Sequence, residues 1–178
     1  GLTLTGDYKK EYYIGEELDL SGGTFTVTWS DGSKTNPYEI ATAEQLAKLA
    51  RDVNNGNTPQ AFLGKYFKLT ADIDLSGGIW MPIGKYYNYG NDNGNNRLFF
   101  GKFDGNGHVI KNMHIQWEGT EARSAWGLFS TLQGASSTNL TTVTNLIIKN
   151  ATVEKKPGFE PYGPDYKVGV GAGEIYGN

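Results

Sequence analysis

Along most of the chain, apolar residues fall into short alternating runs separated by Gly, Asn, Asp and Ser, the pattern of half-buried strands joined by tight corners. One segment breaks the rhythm. In "ATAEQLAKLARDVNNGN", Leu46, Leu49, Ala50 and Val53 recur at helical spacing, and Thr42 with Gln45 forms a capping box. Gly56 offers a left-handed stop, so one helix is predicted over 43–54.

Before that helix, "LTLTG", "EELDL" and "TFTVTWS" read as strands, closed by the hairpin-type turn "SDGS". Residues 1–36 are therefore predicted to be a β-strand module, and residues 37–178 a second region. After the helix a repeat emerges. "ADIDL", "KNMHI" and "TNLII" each set an Asx residue, Asp72, Asn112 or Asn145, ahead of an apolar-x-apolar pair, with unequal insertions between them. Read as one repeated strand position, these three Asx residues are structural and satisfy one another from level to level.

The same logic applies to Asp104-Gly105-Asn106-Gly107. Gly and Asx residues in a row supply a sharp corner, and Gly105 or Gly107 is expected where the backbone excludes a side chain.

Composition narrows the function classes. The 178 residues include 25 glycines and are 13% aromatic, which suits a mostly β chain. A net charge of -3 with no basic run gives no footprint for nucleic acid. Cysteine is absent, which removes thiolate metal sites and disulfides. No apolar run has the roughly 18 residues of a membrane span, so no membrane insertion is expected from this segment.

Candidate chemistry is sparse. Asp72 and Asp74 lie two apart on one strand face, as the carboxylate pair of a glycosidase or the calcium ligands of a lyase could, or as any half-exposed strand would place them. His108 and His114 are the two histidines and lack a metal-binding spacing. The stretch "NDNGNN" is oxygen-rich but carries one carboxylate, which favours a corner over a calcium loop. No cofactor is called for. Trp80, Tyr86, Tyr87 and Tyr89 crowd the region before that loop, and aromatics beside amides can hold a sugar ring; the competing reading places Trp80 in the core.

The stretch "YYIGEELDLSGGTFTVTWSDGS" resembles the first half of group-3 bacterial Ig-like domains, which implies a module of partial Ig-like character. In order, "YEIATAEQLAKLARDVNNGN", "FLGKYFKLTADIDLSGGIWMPIG", "FFGKFDGNGHVIKNMHI", "WGLFSTLQGA" and "VTNLIIKNATV" resemble bacterial surface proteins with GLUG motifs, over about residues 37–176. That family includes adhesin-like proteins and the β-helical regions of immunoglobulin-A-specific metallopeptidases. The resemblance implies a right-handed parallel β-helix of few coils, capped by one α-helix, at an extracellular or cell-surface location in bacteria.

The function it implies is a non-enzymatic scaffold or adhesin-like segment with a glycan or host protein as partner. The alternative is a fragment of a β-helix carbohydrate-active enzyme. No His-Glu-x-x-His string occurs, so the relatives' peptidase activity is not expected here. The closing "VGVGAGEIYGN" looks like a GLUG-type coil with Val170 and Ala172 altered and then cut short. Unpaired strand edges there make end-to-end self-association an expected property.

Overall fold

The computed structural model describes residues 2–6, 23–27, 30–57, 60–86, 96–117, 125–159 and 167–176. The chain divides into two compact units, Gly1–Asp31 and Gly32–Asn178. In the first, Leu2–Gly6 pairs antiparallel with Gly23–Val27, Leu4 lying opposite Phe25. The strand expected in "EELDL" lies outside the described residues.

In the second unit, strands far apart in sequence lie side by side and run the same way. A first sheet orders Tyr38–Ile40, Tyr66–Leu69, Lys102–Asp104 and Thr142–Thr144, all parallel. A second orders Ile73–Asp74, Val109–Lys111 and Ile147–Lys149. A third pairs His114–Trp117 with Thr152–Lys155 and is extended by a parallel bridge from Ile79 to His114. A fourth orders Gln60–Ala61, Leu98–Phe99, Phe129–Gln133 and Ala172–Tyr176. The expectation of a mostly β chain with one helix is met, with parallel sheets.

Alternation within each strand sends one set of side chains inward. Phe67 and Leu69 are buried while Tyr66 and Lys68, alternating with them, are half-buried, and Phe103 is buried between Lys102 and Asp104. In register, Tyr38, Phe67, Phe103 and Val143 succeed one another across the first sheet, and Ile73, Ile110 and Ile148 across the second. Phe99 lies 5.4 Å from Phe67 and 5.3 Å from Phe129 between ring centroids, and Phe129 lies 5.6 Å from Phe103. An aromatic column thus joins the first sheet to the fourth.

The helix, Ala43–Asn55, links the two strands at one end of these sheets and adds Leu46, Leu49, Ala50 and Val53 to the same core. Its capping box is present: Gln45 N–H donates to the Thr42 hydroxyl, and Thr42 N–H donates to the Gln45 side-chain oxygen. The stop differs from expectation. Gly56 is extended, with φ -62, and closes the last turn by donating its N–H to the Val53 carbonyl, so no left-handed residue is needed. At the opposite end of the sheets the inward-facing Val143, Ile148 and Val153 are only partly buried.

Candidate functional site

The Asp104–His108 stretch is a corner built on its own side chains. Asp104 Oδ1 accepts from Asn106 N–H at 2.8 Å and from Asn145 Nδ2 at 3.0 Å. These bonds, that from Asn145 first, hold the Asp104 carboxyl below its usual range. Asn106 and Gly107 take positive φ, 51 and 77, and His108 N–H closes the turn on the Gly105 carbonyl at 2.8 Å. Gly105 is constrained differently. A Cβ there would stand 2.5 Å from the Asn145 carbonyl oxygen and 2.5 Å from Leu146 Cα, so close approach of the next level demands the glycine.

The proposed equivalence of Asp72, Asn112 and Asn145 is corrected by the strand register, which aligns Ile73 with Ile110 and Ile148, not with Met113 and Leu146. The three residues therefore occupy two kinds of corner. Asp72 and Asn145 precede the second sheet: Asp72 Oδ1 accepts from Val109 N–H at 3.0 Å and lies 3.1 Å from His108 Nδ1, while Asn145, at φ 51, donates to Asp104. Asn112 follows the second sheet. At φ 58 it donates to Asp74 at 3.0 Å and accepts from Asn150 at 3.4 Å, and Asn150 shares its left-handed backbone. This Asp74, Asn112, Asn150 ladder does carry Asx-to-Asx bonding from level to level.

Three of the described acids are engaged by neighbouring donors. Asp72 is held low by the Val109 N–H and then by His108; Asp74 is held at about 2, first by Asn112 and then by Ser76 N–H. Glu154 is lowered by Gln116 and by His114, whose Nε2 lies 2.8 Å away. Each of these shifts reflects hydrogen bonds that hold the carboxylate in its ionised form. His108 and His114 serve different carboxylates, and among the described residues no three His, Asp or Glu side chains come together.

Of the expected aromatic patch, Trp80 and Tyr86 are among the described residues. Trp80 is 6% exposed, and its indole N–H donates to the Leu128 carbonyl at 3.2 Å, which makes it a core residue and no sugar platform. Tyr87, Tyr89 and positions 91–95 of the oxygen-rich loop lie outside the described residues. Tyr86 instead meets Tyr176: their hydroxyls lie 3.1 Å apart, and the Lys167 ammonium sits 5.8 Å from each ring centroid while paired with Glu174. The bond to Tyr86, followed by burial, pushes the Tyr176 phenol upward.

A different feature is more open. On the outer face of the first sheet a groove of about 430 Å³ is lined by Lys34, Tyr66, Lys68, Lys102, Thr142 and Thr144. Tyr66, Lys102 and Thr142 form one cross-strand row, and Lys68, Asp104 and Thr144 the next. The Lys102 ammonium donates to the Leu140 carbonyl at 2.8 Å and lies 5.9 Å from the Tyr66 ring centroid. The sequence offered only outward positions alternating with Phe67 and Phe103; nothing in any one segment brings Lys34 to Lys102.

With this geometry in place, comparison with known proteins gives one relative to weigh. The chain is 31% identical over 126 residues to halomucin of Haloquadratum walsbyi, a match that covers 69% of this chain. It spans about 1% of the length of that curated relative. No family model and no solved structure matches the chain.

Proposed function

We propose that the chain is a non-enzymatic scaffold segment of an extracellular or cell-surface protein, built as a right-handed parallel β-helix of the GLUG-motif kind and capped by the helix Ala43–Asn55. The observation that carries this reading is the register itself: inward residues at Phe67, Phe103 and Val143, and at Ile73, Ile110 and Ile148, stack level over level. Each level buries what its neighbour leaves open, so the chain extends without a closed core, as a stalk requires. The ordered motifs from 37 to 176 support the family assignment. The halomucin match is compatible with a surface setting.

The acids also favour a scaffold, because each carboxylate with a resolved shift is committed to a neighbouring donor. The test is incubation of the chain with pectin-like and host-type glycans, read by reducing-end release and by the absorbance of unsaturated products. No turnover is expected. Turnover that disappears in Asp72→Asn or His108→Ala would overturn the reading in favour of the enzyme alternative.

End-to-end association belongs to the same proposal. Thr142–Thr144, Ile147–Lys149, Thr152–Lys155 and Ala172–Tyr176 each pair on one side only among the described residues. Exposed Val170 and Ile175, the latter 72% accessible, lie on that end. Strands paired on one side among the described residues, beside exposed apolar side chains, suit a second copy of the same edge. Sedimentation should show a dimer growing with concentration, and Ile175→Lys should suppress it. A parent chain that stays monomeric at high concentration counts against this.

A further inference from the structure

We propose that the groove over Tyr66, Lys68 and Lys102 binds an acidic oligosaccharide, with lysine ammonium groups meeting its acid groups and tyrosine and threonine hydroxyls meeting its neutral ones. The proposal goes beyond the scaffold reading, which stands whether or not the groove is occupied.

Charge is the first argument. The whole chain carries -3, yet the groove gathers Lys34, Lys68 and Lys102 around a single carboxylate, Asp104. That carboxylate is already committed, since Asp104 Oδ1 accepts from both Asn106 and Asn145. Those neutral donors leave Asp104 ionised, so the lining sets three ammonium groups against one carboxylate, with Glu39 next to Lys68 across the strands, and the groove is net positive on a chain that is negative overall, which favours an anion at this face. Lys102 is held in place by the Leu140 carbonyl, which occupies one of its three donors and leaves two for a ligand.

Shape is the second. Within each cross-strand row neighbouring strands set successive side chains about 4.8 Å apart, so Tyr66, Lys102 and Thr142, and beside them Lys68, Asp104 and Thr144, spread polar groups over an extended surface that suits a ligand several rings long. Its volume of about 430 Å³ fits within the roughly 300–1,000 Å³ typical of small-ligand sites. Hydroxyl groups on Tyr66, Thr142 and Thr144 give the neutral part of a sugar both donors and acceptors. A nucleic acid is a poorer occupant. Duplex DNA presents one charge per about 1.7 Å of axis, and three lysines on a net acidic chain cannot neutralise such a run.

Isothermal titration of the full chain with trigalacturonate tests this, alongside a neutral trisaccharide and a short oligothymidylate. Saturable binding of trigalacturonate that weakens with salt is expected, with neither other probe binding comparably. Losing two charge-assisted contacts in the double variant Lys34→Gln, Lys68→Gln should weaken binding about tenfold or more, without lowering the melting temperature. Lys68→Arg, which keeps the charge, should retain it. The proposal is overturned by absence of trigalacturonate binding, by undiminished binding in the double variant, or by equal binding of the neutral sugar or the oligothymidylate.

Discussion

Gly105→Val is expected to lower the melting temperature by about 6–12 °C, corresponding to roughly 3 kcal/mol in a domain of this size, while His108→Ala leaves it nearly unmoved. The two residues belong to the same corner, yet they differ in what surrounds them. A side chain at Gly105 would enter the backbone of Asn145 and Leu146 at 2.5 Å, and backbone in the next level cannot swing aside as a side chain can. Opening that gap would lengthen the bonds from Gly105 N–H to the Thr144 carbonyl and from Gly107 N–H to the Asn145 carbonyl, now 2.8 and 3.0 Å. His108 makes one solvent-exposed bond to Asp72, which keeps a second donor in Val109 N–H. Thermal melts of the two variants check this directly. A larger loss in His108→Ala would mean that the imidazole, not the glycine, organises the corner.

Gly107→Ala provides a contrast within the same turn. Nothing stands near its Cβ position, but its φ of 77 is costly for any L side chain, so a moderate loss of about 1 kcal/mol follows from strain alone. Gly105 and Gly107 look alike in sequence, but one is required by a neighbour and the other by its own backbone.

That distinction marks where sequence reasoning stops. The helix was legible because its signals are local: Thr42 and Gln45 lie three residues apart and bond each other, and Leu46, Leu49, Ala50 and Val53 share one face. The apolar-x-apolar pairs Ile73/Leu75 and Met113/Ile115 were legible from alternation for the same reason, and all four side chains are buried. The register was not. Asp72, Asn112 and Asn145 each precede an apolar pair, but corners before and after the second sheet use the same residue types, so composition cannot tell one from the other.

The site was legible only in fragments. Trp80 stood among tyrosines in sequence, and its burial is decided by a carbonyl contributed by Leu128, on another segment. Lys34, Tyr66 and Lys102 share a groove although no local pattern links them, because parallel pairing brings together residues separated by a whole level. In such an architecture, surface sites are assembled across levels. A search along the chain for a compact motif is blind to them.

The second large effect is expected at the aromatic column. Phe99→Ala removes a fully buried ring that touches Phe67 on one side and Phe129 on the other, and such truncations cost about 3–5 kcal/mol, or on the order of 10 °C here. The loss should be cooperative across the second unit, because Phe67 lies in the first sheet and Phe129 in the fourth, and the ring is their shared contact. Val143→Ala, at the far end of the first sheet, should cost much less: its side chain is only partly buried and has no level beyond it among the described residues. Chemical denaturation of both variants reads the difference. If the level-over-level core is right, stability falls steeply for Phe99 and shallowly for Val143, with one transition in each case; equal losses at the two positions would mean that the last level is covered as completely as the middle one.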